Sequence, residues 1–218
     1  EDLFKKVTTI PDGKNHGLVF ILDWSGSMGG CLEDTAKQLF NLAWFCRKVN
    51  IPFRVYAFTN CWHEDVEGER HHSSLLDDPK PNELWIEKTF RLLELMNSDC
   101  NAMEFEKQCL NFWNLSVGYQ RIHVPMGFGL SGTPLNEVIL CLHNIIPEFK
   151  SKKRLQKVHT VILTDGESQF LTFGRMRTTY QGDEVCIPSS LNFNDNVYLR
   201  DPVLRTTYKL DKWDSVDD

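Results

Sequence analysis

The chain has 218 residues, 41% of them hydrophobic and 25% charged, with a formal net charge of −6. That length suits one substantial α/β domain burying about 70% of its unfolded surface. The acidic balance argues against a nucleic-acid-binding surface as the main activity, and no apolar run approaches the ~20 residues a membrane helix needs.

The first predicted element is a buried strand at Leu18-Val19-Phe20-Ile21-Leu22. It runs directly into Asp23-Trp24-Ser25-Gly26-Ser27-Met28, where a carboxylate and two hydroxyls alternate along a turn. Gly26 and the Gly29-Gly30 pair are expected to let this loop turn sharply through positive φ. From about Glu33 to Val49, apolar residues recur near helical spacing. The positive end of that helix dipole would point roughly at the loop and favour an incoming anion. Phe53 to Phe58 alternates and predicts a second strand.

Between Asn60 and Met126 the chain leaves this plan, and residues 60–126 are expected to form an insertion within a single domain spanning 1–218. His63 to Asp78 is polar and reads as a loop. Glu83 to Asn97 and Cys100 to Leu115 read as two amphipathic helices, a hairpin that would either bind a partner or cap the core. Cys61, His63, His71 and His72 match no common zinc spacing, so exposed loop histidines are the simpler reading. Trp44, Trp85 and Trp113 read as helix-packing residues.

Ser131-Gly132-Thr133-Pro134-Leu135 supplies another hydroxyl ahead of an apolar helical stripe from Leu135 to Ile146. Val158 to Leu163 predicts a further buried strand, ending in Thr164-Asp165-Gly166. Gly166 to Ser190 reads as a long loop, whose Arg175 and Arg177 could meet an anionic partner or simply be solvated. Asn196 to Arg200 and Arg205 to Leu210 read as a hairpin or paired edge strands around a Pro-containing turn, followed by a frayed Asp214–Asp218 tail. The strand-helix alternation predicts a doubly wound, mostly parallel sheet flanked by helices, with a helical insertion.

Seven cysteines are scattered without CxxC spacing, which favours reduced thiols and a cytoplasmic setting over a disulfide framework. No signal peptide is recognisable, although Glu1 rather than Met opens the sequence, as in a processed or excised chain. The sequon at Asn114-Leu115-Ser116 falls at the end of the helix predicted from Cys100 to Leu115 and reads as chance.

Asp23, Ser25, Ser27, Thr133 and Asp165 together are expected to form a hard-cation site. Two strands would deliver their oxygens to the C-terminal edge of a parallel sheet, where open α/β folds place ligands. Mg²⁺ or Mn²⁺ prefers such oxygen donors in near-octahedral geometry. Ser25, Ser27 and Thr133 would supply neutral hydroxyls, and Asp23 and Asp165 could bind directly or through water. With few anionic ligands the ion stays electrophilic, leaving room for a partner's carboxylate. Hydrolase readings of the same residues fit less well. Ser25 occupies the position where a haloacid-dehalogenase-type phosphatase would carry its second Asp, and neither Ser25 nor Ser27 sits in a Gly-x-Ser-x-Gly elbow.

The constellation resembles the metal-ion-dependent adhesion site of von Willebrand factor A domains, whose pattern is Asp-x-Ser-x-Ser, a distant Thr and a distant Asp. The stretch Phe128 to Glu137, together with Leu92-Leu93-Glu94-Leu95-Met96-Asn97, is similar to the metal-site-bearing subunit of aerobic cobalt chelatase and its tailed-phage relatives. The resemblance covers roughly residues 14 to 170. It implies a von Willebrand A or Rossmann-like fold, a bound Mg²⁺, and work beside a MoxR-like AAA+ ATPase in the cytoplasm of a bacterium or an infected host cell. The chain has no P-loop of its own, so any ATPase would act in trans. On this reading the protein is a non-catalytic interaction module or the non-ATPase subunit of a chelatase-like complex. The alternatives are an extracellular-type adhesion domain or a metal-dependent phosphatase.

Overall fold

Leu18 to Leu22 is apolar without alternation because the strand that contains it is covered on both faces. A computed structural model describes residues 15–64, 68–71, 80–118, 124–191, 197–201 and 203–210. Its elements in chain order are β1 (His16–Asp23), a 3₁₀ turn (Ser27–Gly30), α1 (Leu32–Lys48), β2 (Phe53–Thr59), β3 (His63–Glu64), β4 (Arg70–His71), β5 (Leu84–Trp85), β6 (Arg91–Asn97), α2 (Ala102–Gly118), α3 (Leu135–Lys152), β7 (Lys157–Leu163), β8 (Thr172–Thr178), β9 (Glu184–Ser190), β10 (Val197–Arg200) and β11 (Thr207–Leu210). No helix among the described residues is long and apolar enough to cross a membrane.

The chain divides into two compact units, residues 1–72 with 89–168, and residues 73–88 with 169–218. The first is built on a four-stranded sheet in the order β6-β2-β1-β7. β1 pairs in parallel with both β2 and β7, and β6 runs antiparallel on the outer side of β2. This is the mixed α/β, mostly parallel architecture that the alternation of elements predicts.

Side chains of β1 and β2 alternate between two cores. On one face Phe20, Leu22, Phe53, Val55 and Ala57 pack with Leu32, Ala36, Leu39, Ala43 and Cys46 of α1 and with Phe105 and Phe112 of α2. On the other face Val19, Ile21, Tyr56 and Phe58 meet Val138, Leu142 and Phe149 of α3. At Gly17 a Cβ would collide with the Leu155 and Phe149 side chains, so the strand needs a residue without one there. β7 forms as expected, but Val161 and Ile162 remain 37% and 38% exposed, so it is not a buried strand. Its position at the edge of the sheet is the reason.

The predicted helix from Glu83 to Asn97 is replaced by the short strand β5 and the edge strand β6, so the described residues contain no helical hairpin before the Thr133 loop. The helix-like spacing in β6 comes from a β-bulge. Val55 pairs with Met96 and Tyr56 with Glu94, which leaves Leu95 as an extra residue. Leu93 and Met96 therefore share one buried face at a spacing of three, which mimics helical periodicity in the bare sequence. α2 occupies the helix predicted from Cys100 to Leu115, with Asn114 exposed upon it.

In the second unit β5, β8 and β9 form a three-stranded antiparallel sheet, and β10 and β11 pair as the expected hairpin. The stretch from Gly166 to Ser190 is thus largely a strand pair rather than a loop, with Arg175 and Arg177 exposed on β8. Its Thr172-to-Thr178 run has only Phe173 and Met176 as large apolar residues, three apart and so on opposite sides of the strand, which hides the period of two. Trp85 is buried, but on β5 rather than on a helix. Trp44 is 50% exposed on α1 and packs edge-on against Phe105. Only part of the polar segment His63 to Asp78 lies within the described residues, where β3 and β4 form a two-residue ladder. The Asp214–Asp218 tail lies outside them.

Candidate metal centre

β1 ends at Asp23, whose side chain is fully buried, and Ser25 is nearly so at 2% exposure. The chain is held there by backbone contacts to a distant loop. Ser25 and Ser131 form a parallel bridge, the Gly26 amide donates to the Ser131 carbonyl at 2.8 Å, and the Ser131 amide donates to the Trp24 carbonyl at 3.3 Å. The Trp24 indole N–H reaches the Phe128 carbonyl at 2.8 Å, and the Thr59 hydroxyl reaches the Gly129 carbonyl at 3.3 Å. The Asn60 side-chain carbonyl accepts the Gly132 amide at 2.7 Å. These bonds tie residues 128–132 to the C-terminal ends of β1 and β2 and so deliver Thr133 to the same edge.

Three of the five expected site residues, Ser25, Ser27 and Asp165, are joined through their side chains. Ser25 Oγ and Ser27 Oγ lie 3.0 Å apart, and Ser27 Oγ donates to Asp165 Oδ1 at 2.9 Å. Asp23 faces the same cluster, close enough for the Asp165 charge to act on it. Thr133 is brought there by backbone alone, its carbonyl accepting the Leu135 amide at 2.9 Å where α3 begins. The Asn136 amide just inside that helix is accepted by Ser168 Oγ at 3.1 Å.

The glycines act differently from expectation. Gly26 has φ −62°, and neither Gly29 nor Gly30 lies at positive φ, so the loop turns through a 3₁₀ turn that other residues could adopt. Positive φ occurs instead at Gly127, where a Cβ would collide with the Arg91 guanidinium.

Asp23 carries the electrostatic tension of the site. Burial pushes its pKa above the ordinary carboxylate value, hydrogen bonding from Thr164 and Ser25 opposes the rise, and the Asp165 charge adds to it. Thr164 Oγ1 donates to Asp23 Oδ2 at 2.7 Å, whereas the buried Oδ1 accepts no hydrogen bond of good geometry. An unpartnered buried carboxylate oxygen is costly. A hard cation is the group that would relieve it, because it takes oxygen donors and neutralises the facing pair of carboxylates.

Among the described residues no three His, Cys, Asp or Glu side chains are grouped so as to hold a metal. Any ion here would depend on the hydroxyls of Ser25, Ser27 and Thr133 beside the two carboxylates. Cys61 is buried with its thiol pKa raised by that burial, and its carbonyl faces His63 Nδ1 at 3.2 Å. The His71 side chain and His72 lie outside the described residues.

Three residues that sequence reasoning passed over belong to this centre: Thr164, Asn60 and Trp24. Thr164 had a usable signal, since it directly precedes Asp165 at the end of an apolar strand. Asn60 and Trp24 had none, because their partners are backbone atoms far along the chain. No protein-family model, curated protein or solved structure matches this chain.

Proposed function

We propose that the protein is a protein-interaction module in which a Mg²⁺ or Mn²⁺ ion, held by Asp23, Ser25, Ser27, Thr133 and Asp165, captures an acidic residue of a partner. The single observation that carries this reading is a buried Asp23 Oδ1 without a hydrogen-bond partner, on a residue that ends β1 beside a linked set of hydroxyls and within reach of the Asp165 charge. The ion would supply a Lewis-acid position open to a carboxylate. The chain's own residues shape that position. Asp23 and Ser25 form its buried floor, while the exposed Ser27 and Asp165 form its rim.

The finer reading is a von Willebrand A-type domain with a metal-ion-dependent adhesion site, serving beside a MoxR-like AAA+ ATPase in a chelatase-like complex. It is supported by the order and spacing of the five residues and by the mostly parallel sheet that brings their segments together. A cytoplasmic setting is supported by the seven cysteines, all of them free thiols.

Affinity capture from a native lysate tests the reading directly. An AAA+ ATPase should be recovered by the wild-type chain in Mg²⁺, and lost in EDTA or with Asp23→Ala. Equal recovery by a folded Asp23→Ala variant would overturn it.

A further inference from the structure

Consecutive residues at the end of β7 grip opposite ends of the Asp23–Ser27 loop. Thr164 bonds Asp23, and Asp165 accepts from Ser27. Successive side chains leaving a strand point to opposite sides, so one short segment can hold both ends at once. Asp165 belongs to the metal reading already given, whereas Thr164 has no assigned part in it.

We propose that Thr164 is a positioning residue that selects which oxygen of Asp23 is presented to the ion, an inference that rests on the metal reading above. The Thr164 hydroxyl carries a single proton. Two acceptors are within reach, Asp23 Oδ2 at 2.7 Å and the Gly166 carbonyl at 3.2 Å. The carboxylate is both closer and charged, so it takes the proton. The Gly166 amide in turn approaches the hydroxyl oxygen at 3.3 Å, and the branched Cβ restricts χ1. The hydroxyl is therefore fixed from its backbone side and its proton is committed to Oδ2.

A carboxylate at the end of a strand can otherwise rotate and exchange its two oxygens. Tying Oδ2 to Thr164 makes the pair inequivalent and leaves the buried Oδ1 as the oxygen with unused lone pairs. Asp23 is thereby presented to a cation in one orientation, before the cation arrives. Partners that orient a ligand in this way characteristically change metal affinity 10–100-fold when removed. Thr164 is itself exposed while Asp23 is buried, so the bond links the rim of the site to its floor and does not serve to fill the core.

The test is titration of the purified chain with Mn²⁺, followed by calorimetry and by the electron paramagnetic resonance signal of free Mn²⁺. Thr164→Val keeps the shape and removes the proton, and Thr164→Ser keeps the proton. Binding by Thr164→Val should weaken at least ~10-fold, binding by Thr164→Ser should stay within about threefold of wild type, and the metal-free melting temperatures should remain close. Wild-type affinity in Thr164→Val would overturn the positioning role while leaving the metal site standing. Equal weakening in Thr164→Val and Thr164→Ser would also overturn it, because the hydroxyl would not be the cause. Failure of the wild type itself to bind Mn²⁺ would overturn the metal reading and this inference with it.

Discussion

Ser27 Oγ donates a 2.9 Å hydrogen bond to Asp165 Oδ1, joining residues 138 positions apart in the chain. The bond spans the ends of β1 and β7, parallel neighbours whose register runs from His16 opposite Lys157 to Leu22 opposite Leu163. The site is therefore a property of two adjacent strand ends, with the Thr133 loop laid against them.

Metal binding should stabilise the unit that bears the site. At a concentration 100-fold above Kd, a ligand specific for the folded state adds about 2.7 kcal/mol. For a unit of this size that is a rise in Tm of several degrees, on the order of 5–10 °C. Calorimetry in Mg²⁺ and in EDTA should show the rise for wild type, and a Ser25→Ala, Ser27→Ala double variant should lose it.

Asp23→Asn should leave the metal-free protein at least as stable at neutral pH, by about 1 kcal/mol in its favour, while abolishing the metal response. The sign follows from the raised pKa. A carboxyl group with a folded pKa above its unfolded value binds its proton more tightly when folded. Its contribution is most favourable at low pH and is lost as pH rises from the unfolded to the folded pKa. Urea midpoints of the two proteins in EDTA should converge at acid pH and diverge as pH rises through that window.

Asp99 has the opposite sign. Burial raises its pKa, but Lys153, Arg54 and Lys152 together outweigh burial and hold it below the ordinary carboxylate value. Its contribution is present above the unfolded pKa and is lost as pH falls through the folded one. Asp99→Asn should cost about 1 kcal/mol at neutral pH, and the deficit should shrink below about pH 4. Paired urea titrations at pH 7 and pH 3.5 would reveal it.

Trp24→Phe removes the indole N–H from the Phe128 carbonyl and empties part of a fully packed position. A loss of about 2 kcal/mol is expected from an orphaned acceptor plus the volume change. The same variant should bind Mn²⁺ more weakly, because the 128–133 segment loses an anchor. Urea unfolding and Mn²⁺ titration check the two effects separately.

Much of the first unit is legible without coordinates. β1, α1 and β2 lie within one or two residues of their predicted positions, and α3 begins where predicted but runs on past Ile146 to Lys152, because the apolar period of each is clean. β6 was hidden by its own bulge. An extra residue at Leu95 turns a strand's spacing of two into the spacing of three seen in helices, and only pairing with β2 discloses it. The β8–β9 pair was hidden because β8 has only Phe173 and Met176 as large apolar residues and β9 carries Pro188, so neither seven-residue strand shows a clean period of two.

The sequence by itself determined which oxygens could serve a hard cation, since Asp23, Ser25, Ser27, Thr133 and Asp165 are set by residue type and local spacing. Tertiary structure decided which of them meet and how they are held. Ser27 finds Asp165, Thr164 takes one oxygen of Asp23, and Asn60 pins the Gly132 amide. Composition and period report on neighbours along the chain and on which face of an element is apolar. Hydrogen bonds between separate strand ends depend on sheet order and register, which exist only once the strands have paired.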